Sequence, residues 1–337
     1  MIITKTPFRM SFFGGGTDLP QFFMGNRGAV LSTTFDKYVY VTVRHLPRFF
    51  DYSTEVIYAK TERVTDINDI EHIMVRNAMK MLDMQELHIS YDADLPARTG
   101  LGTSSTFAVG LLNAFYCLKG KYRSKKELAD DAIYLERTLC EEAGGWQDQI
   151  AASFGNLNRI DFDSHGYHVN PIIINPERKK QLNDNFMLFF TGFTRNSAEI
   201  QKCTIKSIQD KKKELFAMLD LVDAAQGVLE NNACDLDKFG YLLDEEWKLK
   251  RRTGGNISTA MIDELYEKAT KAGALGGKLL GAGGGGFLLF YVRPEKQAEV
   301  RQALKGLMEV PFKFERQGTR VIYYTPEMFD RNTEAEV

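Results

Sequence analysis

The chain has 337 residues, of which 44% are hydrophobic and 26% are charged, which is typical of a globular protein with about two domains and a full hydrophobic core. Its formal net charge is only −2, so the composition excludes a general electrostatic attraction to nucleic acid or to an anionic membrane. The four cysteines are widely spaced, which argues against a zinc site and against a disulfide framework.

The N-terminal sequence, MIITKTPFRMSFFGGG, lacks the apolar core and the cleavage site of a signal peptide. No stretch approaches the ~18 consecutive apolar residues of a membrane-spanning helix. We therefore expect a cytoplasmic protein that does not associate with membranes.

The first half of the chain mixes strand patterns with strong helical patterns. Residues 37–44 and 87–91 are rich in β-branched and aromatic side chains, which predicts two strands. Apolar residues recur at three- and four-residue steps over 107–118, which predicts a helix. A second helix is expected over 124–142, because its first four residues, S-K-K-E, fit a capping box.

In the second half, a polar stretch after a proline at 171–185 predicts a domain boundary, which divides the chain into domains 1–180 and 181–337. Helices and strands are mixed without strict alternation, so the predicted fold class is α+β. The last four predicted elements have the order strand, helix, strand, strand, which is typical of a ferredoxin-like layer. The predicted elements after the boundary are a strand at 186–190, helices at 196–231 and 236–250, a strand at 286–292, a helix at 294–307, and strands at 312–315 and 320–324.

Three glycine-rich segments are candidates for binding an anion: FGGGTD (13–18), TGLGTSS (99–105) and LLGAGGGG (279–286). Glycine lets backbone N–H groups approach an anion closely, and a helix N-terminus adds unpaired N–H groups and the positive end of a dipole. The second segment follows a predicted strand and leads into the predicted 107–118 helix, so a polyphosphate is its natural occupant. Taken alone, it fits an ordinary helix N-cap with a serine-rich first turn equally well.

Two familiar phosphate-binding motifs are excluded. A P-loop requires G-x-x-x-x-G-K-[ST], but the nearest candidate has Ala272 at the first glycine position and Leu279 after the lysine. Gly281, Gly283 and Gly286 satisfy G-x-G-x-x-G. A predicted strand follows that run, however, whereas the dinucleotide-binding fingerprint must open a helix.

Three separated segments together resemble the motifs of the GHMP small-molecule kinases, a family named for galacto-, homoserine, mevalonate and phosphomevalonate kinases. PFRMSFFGGGTD (7–18) is similar to the first motif, PARTGLGTSS (96–105) to the second and KLLGAGGGG (278–286) to the third. The resemblance implies an ATP-dependent phosphotransferase with an alcohol group as acceptor. It also implies a two-lobed fold, with a mixed α/β N-terminal lobe that carries the phosphate loop at a helix N-terminus and a ferredoxin-like C-terminal lobe.

The same resemblance implies a role for individual residues. Asp148, in GGWQDQ, would be the catalytic aspartate, and Arg9 beside it would keep it ionised and stabilise the attacking oxygen. A magnesium ion would lie between Ser104 and Glu136, the carboxylate in YLERTL. Without the motifs, Glu136 and Asp148 would be read as a solvated helix carboxylate and a helix cap. The residues that would bind the triphosphate of ATP are Gly100, Leu101, Gly102, Thr103, Ser104 and Ser105.

The first motif carries the implied acceptor-binding residues. Gly15 and Gly16 stand where galactokinase-like sequences have glutamate and histidine, which leaves room for a larger acceptor. Asp18 matches the family carboxylate that accepts from sugar hydroxyls, and Trp146 could cover an apolar sugar face, although a single tryptophan is more often in the core. The implied substrate-binding set is Gly15, Gly16, Thr17, Asp18, Trp146, Gly283 and Gly284.

Within the family, PFRMSFFGGGTDLP, GGWQDQ and EEWKLKR (245–251) are most similar to the kinases of D-glycero-D-manno-heptose 7-phosphate. The implied reaction phosphorylates the anomeric hydroxyl to give the 1,7-bisphosphate, on the way to a nucleotide-activated heptose for surface glycans. The implied partners are therefore ATP, Mg²⁺ and a phosphorylated sugar. A phosphorylated acceptor needs its own basic pocket, and the candidates are Arg195, Lys202, Arg251 and Arg252.

Two alternatives remain open from the sequence. One is an anomeric kinase of an unphosphorylated sugar such as L-fucose. The other is a non-catalytic sugar-binding regulator, against which the retention of Ser104, Glu136 and Asp148 argues. His165 and His168, in H-G-Y-H, lie among polar turn residues without a nearby third ligand, so we predict surface histidines and no metal site there.

Overall fold

The computed structural model describes residues 1–97, 99–192, 205, 208, 210–254 and 257–326. Within these ranges, nine strands form one sheet around two long antiparallel neighbours, β1 (Ile2–Phe13) and β2 (Gly28–His45). The main path of the sheet is β13-β1-β2-β5-β3-β4, and β12 and β6 also pair with the long strand β2. The other strands of this sheet are β3 (Thr54–Ile57), β4 (Thr61–Val64), β5 (Leu87–Ala93), β6 (Leu157–Asp163), β7 (Gly166–Pro171), β12 (Phe314–Glu315) and β13 (Arg320–Tyr324).

A second, antiparallel sheet contains four strands of the described residues in the order β11-β8-β10-β9. Its central strands are almost entirely buried and apolar, because helices cover the sheet. The strands are β8 (Phe186–Phe190), β9 (Ala274–Leu279), β10 (Phe287–Val292) and β11 (Met308–Glu309).

The helices pack around these two sheets. The capping box at Ser124 and Glu127 is present with both of its hydrogen bonds, and a π-helical turn, Tyr134–Leu139, continues that helix. The described helices are α1 (Pro20–Phe23), α2 (Ile73–Met81), α3 (Thr103–Leu118), α4 (Lys125–Ile133), α5 (Gln147–Phe154), α6 (Pro176–Asp184), α7 (Lys212–Glu230), α8 (Asp237–Arg252), α9 (Ala260–Lys271) and α10 (Gln297–Ala303), with short 3₁₀ turns at Ile67–Asp69 and Pro294–Lys296.

The second half of β1 is the centre of the molecule. Burial alternates at the start of the strand, but every residue from Thr6 to Phe13 is buried. Helices α3 and α5 from the first part of the chain and α7 and α8 from the second part all pack against this strand. Polar residues of β1 are therefore placed between the two sheets, where a ligand can be surrounded by protein.

Most predicted elements are confirmed, but the assignment of the last two strands to the C-terminal layer is wrong. β13 pairs with β1, and β12 pairs with β2, so the end of the chain returns to the first sheet. A strand's own residues do not indicate which open sheet edge it joins. β1 has an open edge, and β13 pairs with it. The helix predicted over 294–307 is a 3₁₀ turn followed by the shorter α10.

The helix predicted over 196–231 appears as α7 at its C-terminal end, and most of its first half lies outside the described residues. The predicted division into domains 1–180 and 181–337 falls inside α6 and remains a proposal.

Candidate active site

The GLGTSST segment lies at the N-terminus of α3. Gly102 is the N-cap residue in a left-handed conformation, with φ 78°, and no described side chain caps the helix. The first-turn N–H groups are consequently available to an anion. The Thr103 hydroxyl is buried and has no hydrogen-bond partner among the described residues, whereas Ser104 is exposed. This geometry is what a phosphate-binding loop requires.

The second and third glycine-rich segments are in direct backbone contact. A Cβ on Gly100 would lie 2.4 Å from the carbonyl oxygen of Leu280, and one on Gly281 would lie 2.3 Å from the Cα of Gly100. A Cβ on Gly286 would lie 2.1 Å from the carbonyl oxygen of Thr99. The third segment thus packs its backbone directly against the loop before α3, and side chains at these glycines would push the two backbones apart.

Arg9 and Asp148 form a two-point ion pair next to this loop. The Arg9 Nε donates to Asp148 Oδ1 at 2.7 Å, and Nη2 donates to Oδ2 at 2.9 Å. The Nη1 of Arg9 donates to the carbonyl oxygen of Gly100 at 2.8 Å. Arg9 lies in β1 and is only 4% exposed, so one guanidinium fixes the carboxylate at the start of α5 relative to the loop before α3.

Asp18 lies on the opposite side of the same space. Its carboxylate accepts from the backbone N–H of Gly16 at 2.9 Å and of Gln147 at 3.3 Å. Burial raises the pKa of Asp18 and the negative charge of Asp148 raises it further, while these backbone donors oppose the shift. A Cβ on Gly145 would lie 1.8 Å from Asp18 Oδ2, so the glycine is required for this carboxylate to occupy its position.

Arg9, Asp148 and Asp18 line one cleft with about 760 Å³ of empty space, counting the part open to solvent. The cleft lies where β1, the first glycine-rich segment, the start of α5, the end of α8 and the third glycine-rich segment meet. A pocket with two carboxylates, three basic side chains (Arg9, Arg137 and Lys250) and few apolar side chains can bind a polar, hydroxyl-bearing molecule. Its charged and polar lining includes Arg9, Ser11, Asp18, Gln147, Asp148 and Lys250.

Comparison with protein families gives two matches, the first of which contains the second motif and the second of which contains the third motif. Residues 70–156 match the N-terminal domain of GHMP kinases, and residues 229–310 match the C-terminal domain of GHMP kinases. The chain belongs to the GHMP kinase family. This membership confirms the predicted two-lobed α+β fold and the predicted enzyme class, an ATP-dependent phosphotransferase.

Individual relatives are similar over most of this GHMP kinase. It is 29% identical to a D-glycero-alpha-D-manno-heptose 7-phosphate kinase of Campylobacter jejuni, with 95% of this chain and 98% of that protein covered. It is 28% identical to a bifunctional fucokinase/GDP-fucose pyrophosphorylase of Arabidopsis thaliana, over 69% of this chain but 22% of that longer protein. A solved D-glycero-D-manno-heptose 1-phosphate kinase from Bacteroides thetaiotaomicron shares the fold, with a TM-score of 0.77, 24% identity, and coverage of 96% and 99% of the two chains.

Some residues that the sequence predicted for the acceptor lie outside the cleft of this GHMP kinase. The buried Thr17 hydroxyl contacts the carbonyl oxygens of Gly14 and Ala29, both at 2.8 Å, so it stabilises the turn. Trp146 packs edge-on against Phe23, with ring centroids 4.8 Å apart, in a hydrophobic cluster.

The glycines of the third motif divide between two roles. Gly284 donates its N–H to the carbonyl oxygen of Ile257 at 3.0 Å, and a Cβ on Gly283 would lie 2.7 Å from the Cα of Ile257. Gly283 and Gly284 therefore support a neighbouring segment, whereas Gly281 and Ala282 line the cleft.

Each of the two predicted magnesium ligands has a different partner in the structure. The exposed Ser104 hydroxyl donates to Glu142 at 3.4 Å, whereas Glu136 is 1% exposed and accepts from the Gln149 amide. Burial raises the pKa of Glu136, although the nearby Arg137 and the Ser105 hydroxyl lower it. The described residues contain no group of three His, Cys, Asp or Glu side chains suited to a metal, and Ser104 with Glu142 is a hydrogen-bonded oxygen pair at the phosphate loop.

Sequence reasoning missed a cluster of buried charges between the lobes. Lys278 in β9 donates to the Phe12 carbonyl oxygen at 2.6 Å and to Glu246 at 3.4 Å, and Glu246 accepts from the Gly14 N–H at 3.1 Å. Lys250, one turn after Glu246 on α8, reaches the cleft. The helical pattern could have identified this cluster, because Glu246 and Lys250 continue the buried face of α8 that includes Leu243.

Of the proposed basic residues for a sugar phosphate, the two that the structure describes do not line this cleft. Arg251 is exposed and pairs with Asp263 at 3.1 Å, and Arg252 is exposed at the end of α8. Arg195 and Lys202 lie outside the described residues.

The two histidines of H-G-Y-H, at positions 165 and 168, are both exposed on the β6–β7 hairpin, as predicted. Across the described ranges, no helix combines the length and the apolar character needed to cross a membrane.

Proposed function

We propose that this GHMP kinase uses ATP to phosphorylate the anomeric hydroxyl of D-glycero-D-manno-heptose 7-phosphate, giving the 1,7-bisphosphate for nucleotide-activated heptose synthesis. The observation that carries the proposal is the Arg9–Asp148 pair, fixed next to an uncapped helix start. Similarity to a heptose 7-phosphate kinase along 98% of that protein supports the acceptor. Gly15 and Gly16 also support it, because their missing side chains leave the acceptor side of the cleft wide.

Phosphoryl transfer depends mainly on positioning the reactants and neutralising charge on the transferred group. In our proposal, Asp148 accepts a hydrogen bond from the anomeric hydroxyl and orients it toward the terminal phosphate. Arg9 stabilises negative charge that develops on the attacking oxygen. Asp18 accepts from a second hydroxyl, so the sugar is held at two points across the cleft.

The triphosphate would lie along the loop formed by residues 100–105. Backbone N–H groups at the start of α3 face this position, and the positive end of the helix dipole favours an anion there. The unpaired hydroxyl of Thr103 and the exposed hydroxyl of Ser104 provide further donors. The contact between this loop and Arg9 then sets the distance from the terminal phosphate to Asp148.

We propose Mg²⁺ as the ion that accompanies ATP. When bound, it would neutralise charge on the phosphate oxygens, and a nucleotide-bound Mg²⁺ needs only one or two protein oxygens besides phosphate and water. Ser104 meets this requirement with its exposed hydroxyl. Glu136 would reach the ion only by giving up its contact with Gln149, whereas Glu142 already contacts Ser104.

A test of the metal ligands compares Glu136→Gln with Glu142→Gln. The measurement is the Mg²⁺ concentration that gives half-maximal rate at fixed ATP. An increase for Glu142→Gln alone supports Glu142 as the ligand, and an increase for Glu136→Gln alone supports Glu136. No change in either variant would contradict both assignments.

An unphosphorylated sugar such as L-fucose is the second candidate acceptor. Similarity to the fucokinase part of a bifunctional protein favours it, but the match covers a smaller part of this chain than the heptose kinase match does. The non-catalytic regulator gains no support, because a binding module does not need a carboxylate held in place by a buried arginine.

The deciding experiment measures ADP release with a panel of acceptors that includes heptose 7-phosphate, heptose, L-fucose and D-mannose. We expect turnover with heptose 7-phosphate and a loss of about 10²–10⁴-fold in kcat for Asp148→Ala, with the Kd for ATP close to that of the wild type. Asp69→Ala, on an exposed turn, is the matched control and should keep full activity. Turnover with free sugars only would contradict the acceptor, and near-normal kcat in Asp148→Ala would contradict the role of the aspartate.

A further inference from the structure

We propose that Ser11, Gln147 and Lys250 form a subsite above Gly15 that binds hydroxyl groups of the acceptor sugar. The proposal rests on the sugar kinase function and adds to it the residues that recognise the sugar away from its reacting hydroxyl. In this subsite, Gly15 determines specificity because its missing side chain leaves the space open.

The three polar groups converge on one small volume. A Cβ on Gly15 would lie 3.8 Å from Ser11 Oγ, 3.9 Å from Gln147 Nε2 and 3.9 Å from Lys250 Nζ. These side chains come from β1, the start of α5 and the end of α8, and they line the same cleft as Asp148. Three separate elements thus place polar atoms around an opening that is one side chain wide.

Two polar atoms of the subsite have no hydrogen-bond partner among the described residues, and a ligand could supply one to each. Ser11 is 6% exposed, and its hydroxyl has no hydrogen-bond partner among the described residues. The side-chain carbonyl oxygen of Gln147 is buried and equally without a partner in the described ranges. Buried polar atoms are rarely left unpaired, because such an atom has lost its hydrogen bonds to water without gaining others. Bound hydroxyl groups would satisfy both.

Lys250 brings an amino group with N–H donors to the subsite. In its protonated form this amino group has three N–H donors, and it donates to the Gly281 carbonyl oxygen at 2.5 Å. The buried carboxylate of Glu246 is already bonded to Lys278 and to the Gly14 N–H. Two lysines therefore share one carboxylate, and the lysine that lines the cleft is left to interact with a ligand.

The chemistry of the subsite fits hydroxyl groups better than a phosphate. A hydroxyl both donates and accepts, which matches a mixture of ammonium, hydroxyl and amide groups. At this subsite a phosphate would face the side-chain carbonyl oxygen of Gln147, which accepts hydrogen bonds and cannot donate to a phosphate oxygen. The predicted ligand is thus a pair of neighbouring ring hydroxyls, and the 7-phosphate lies elsewhere.

Gly15→Ala tests the open space directly. Gly15 has no left-handed φ, and the added methyl group would meet its neighbours at ordinary contact distances, so the fold is retained. The methyl group would occupy the subsite. We expect KM for the sugar to rise at least about tenfold, with KM for ATP and the thermal unfolding midpoint close to wild type. Gly25→Ala, where the added methyl group has nothing within 4 Å, is the control.

Lys250→Met and Ser11→Ala test the polar groups. Both should raise KM for the sugar more than they lower kcat, while Lys248→Met, at an exposed position of the same helix, should change neither. A deoxy sugar that lacks the recognised hydroxyl should lose affinity in the wild type and lose no more in Ser11→Ala. A purely structural role for Ser11 would give the same loss with both sugars and would contradict the proposal.

Wild-type turnover separates this inference from the proposed function. If the wild type phosphorylates any sugar and the Gly15→Ala and Lys250→Met variants keep its KM, the subsite is refuted and the kinase function stands. If the preferred acceptor is a free sugar, the heptose phosphate assignment fails, and the same variants still decide on the subsite. If the wild type phosphorylates no sugar, the sugar kinase function and the subsite both fail.

Discussion

Gly102→Ala tests whether the position of Asp148 controls kcat independently of the stability of the fold. Gly102 has φ 78°, and a Cβ there would lie 3.2 Å from Asp148 Oδ2 and 3.3 Å from Cγ. The carboxylate is bonded to Arg9 at 2.7 and 2.9 Å, so moving it by a few tenths of an ångström distorts both bonds. The left-handed conformation of an alanine costs a further 1–2 kcal/mol or so.

Gly120→Ala is the matched control for this change. Gly120 lies just beyond the other end of α3 with φ 66°, and a Cβ there would meet nothing within 4 Å. Both variants should lose about 1–2 kcal/mol of unfolding free energy because both force alanine into the left-handed region, and Gly102→Ala should lose somewhat more because it also distorts the Arg9–Asp148 contact. Only Gly102→Ala disturbs the catalytic carboxylate, so only this variant should lose kcat, by about 10- to 100-fold.

The assay combines urea unfolding with steady-state kinetics on the acceptor that the wild type prefers. In an Asp148→Ala background, Gly102→Ala should have little further effect on kcat, because the group that it displaces is gone. Equal kcat values for Gly102→Ala and Gly120→Ala would refute the reasoning. A full additional loss in the double variant would also refute it.

Three further predictions concern residues around the same cleft. Arg9→Lys keeps the charge but loses the two-point contact, so we expect kcat to fall about 10²-fold at unchanged KM for ATP in steady-state assays. Gly145→Ala would place a Cβ 1.8 Å from the Asp18 carboxylate, and calorimetry should show weaker sugar binding with ATP binding intact. Burial, together with the charge of Lys278, lowers the pKa of Lys250 from 10.5 to about 7. Between these two pKa values the unfolded chain holds a proton that the folded protein has lost, so this group's contribution to stability rises with pH. Lys250→Met should remove that rise. The difference in unfolding free energy, variant minus wild type, should therefore be more positive near pH 6.5 than near pH 9.5, as urea unfolding at the two pH values would show.

The parts of the site that sequence predicted are those carried by local patterns. The 107–118 periodicity and the glycines before it place the loop at the start of α3, and S-K-K-E gives the capping box of α4. The motifs also pointed to Arg9 and Asp148, which the structure brings together over 139 positions of sequence. No spacing rule could have predicted that pair without the family resemblance.

The remaining features depend on packing between distant segments. β13 pairs with β1 because that edge of the sheet is open, which no property of residues 320–324 reveals. Trp146 and Glu136 have residue types that suit a binding site, but Trp146 packs against Phe23 and Glu136 is buried in contact with the Gln149 amide. The helical pattern of α8 places Lys250 on its buried face, but the packing of that face against β9 and β1 is a property of the fold.

The central claim is that the uncapped start of α3 binds the phosphates of ATP and that Asp148 orients the acceptor hydroxyl toward them. A crystal structure with a non-hydrolysable ATP analogue and heptose 7-phosphate tests it most directly. We predict phosphate oxygens within hydrogen-bond distance of backbone N–H groups in residues 100–105, and the anomeric oxygen within hydrogen-bond distance of Asp148. Phosphates bound away from Ser104, or an anomeric oxygen remote from Asp148, would contradict the account.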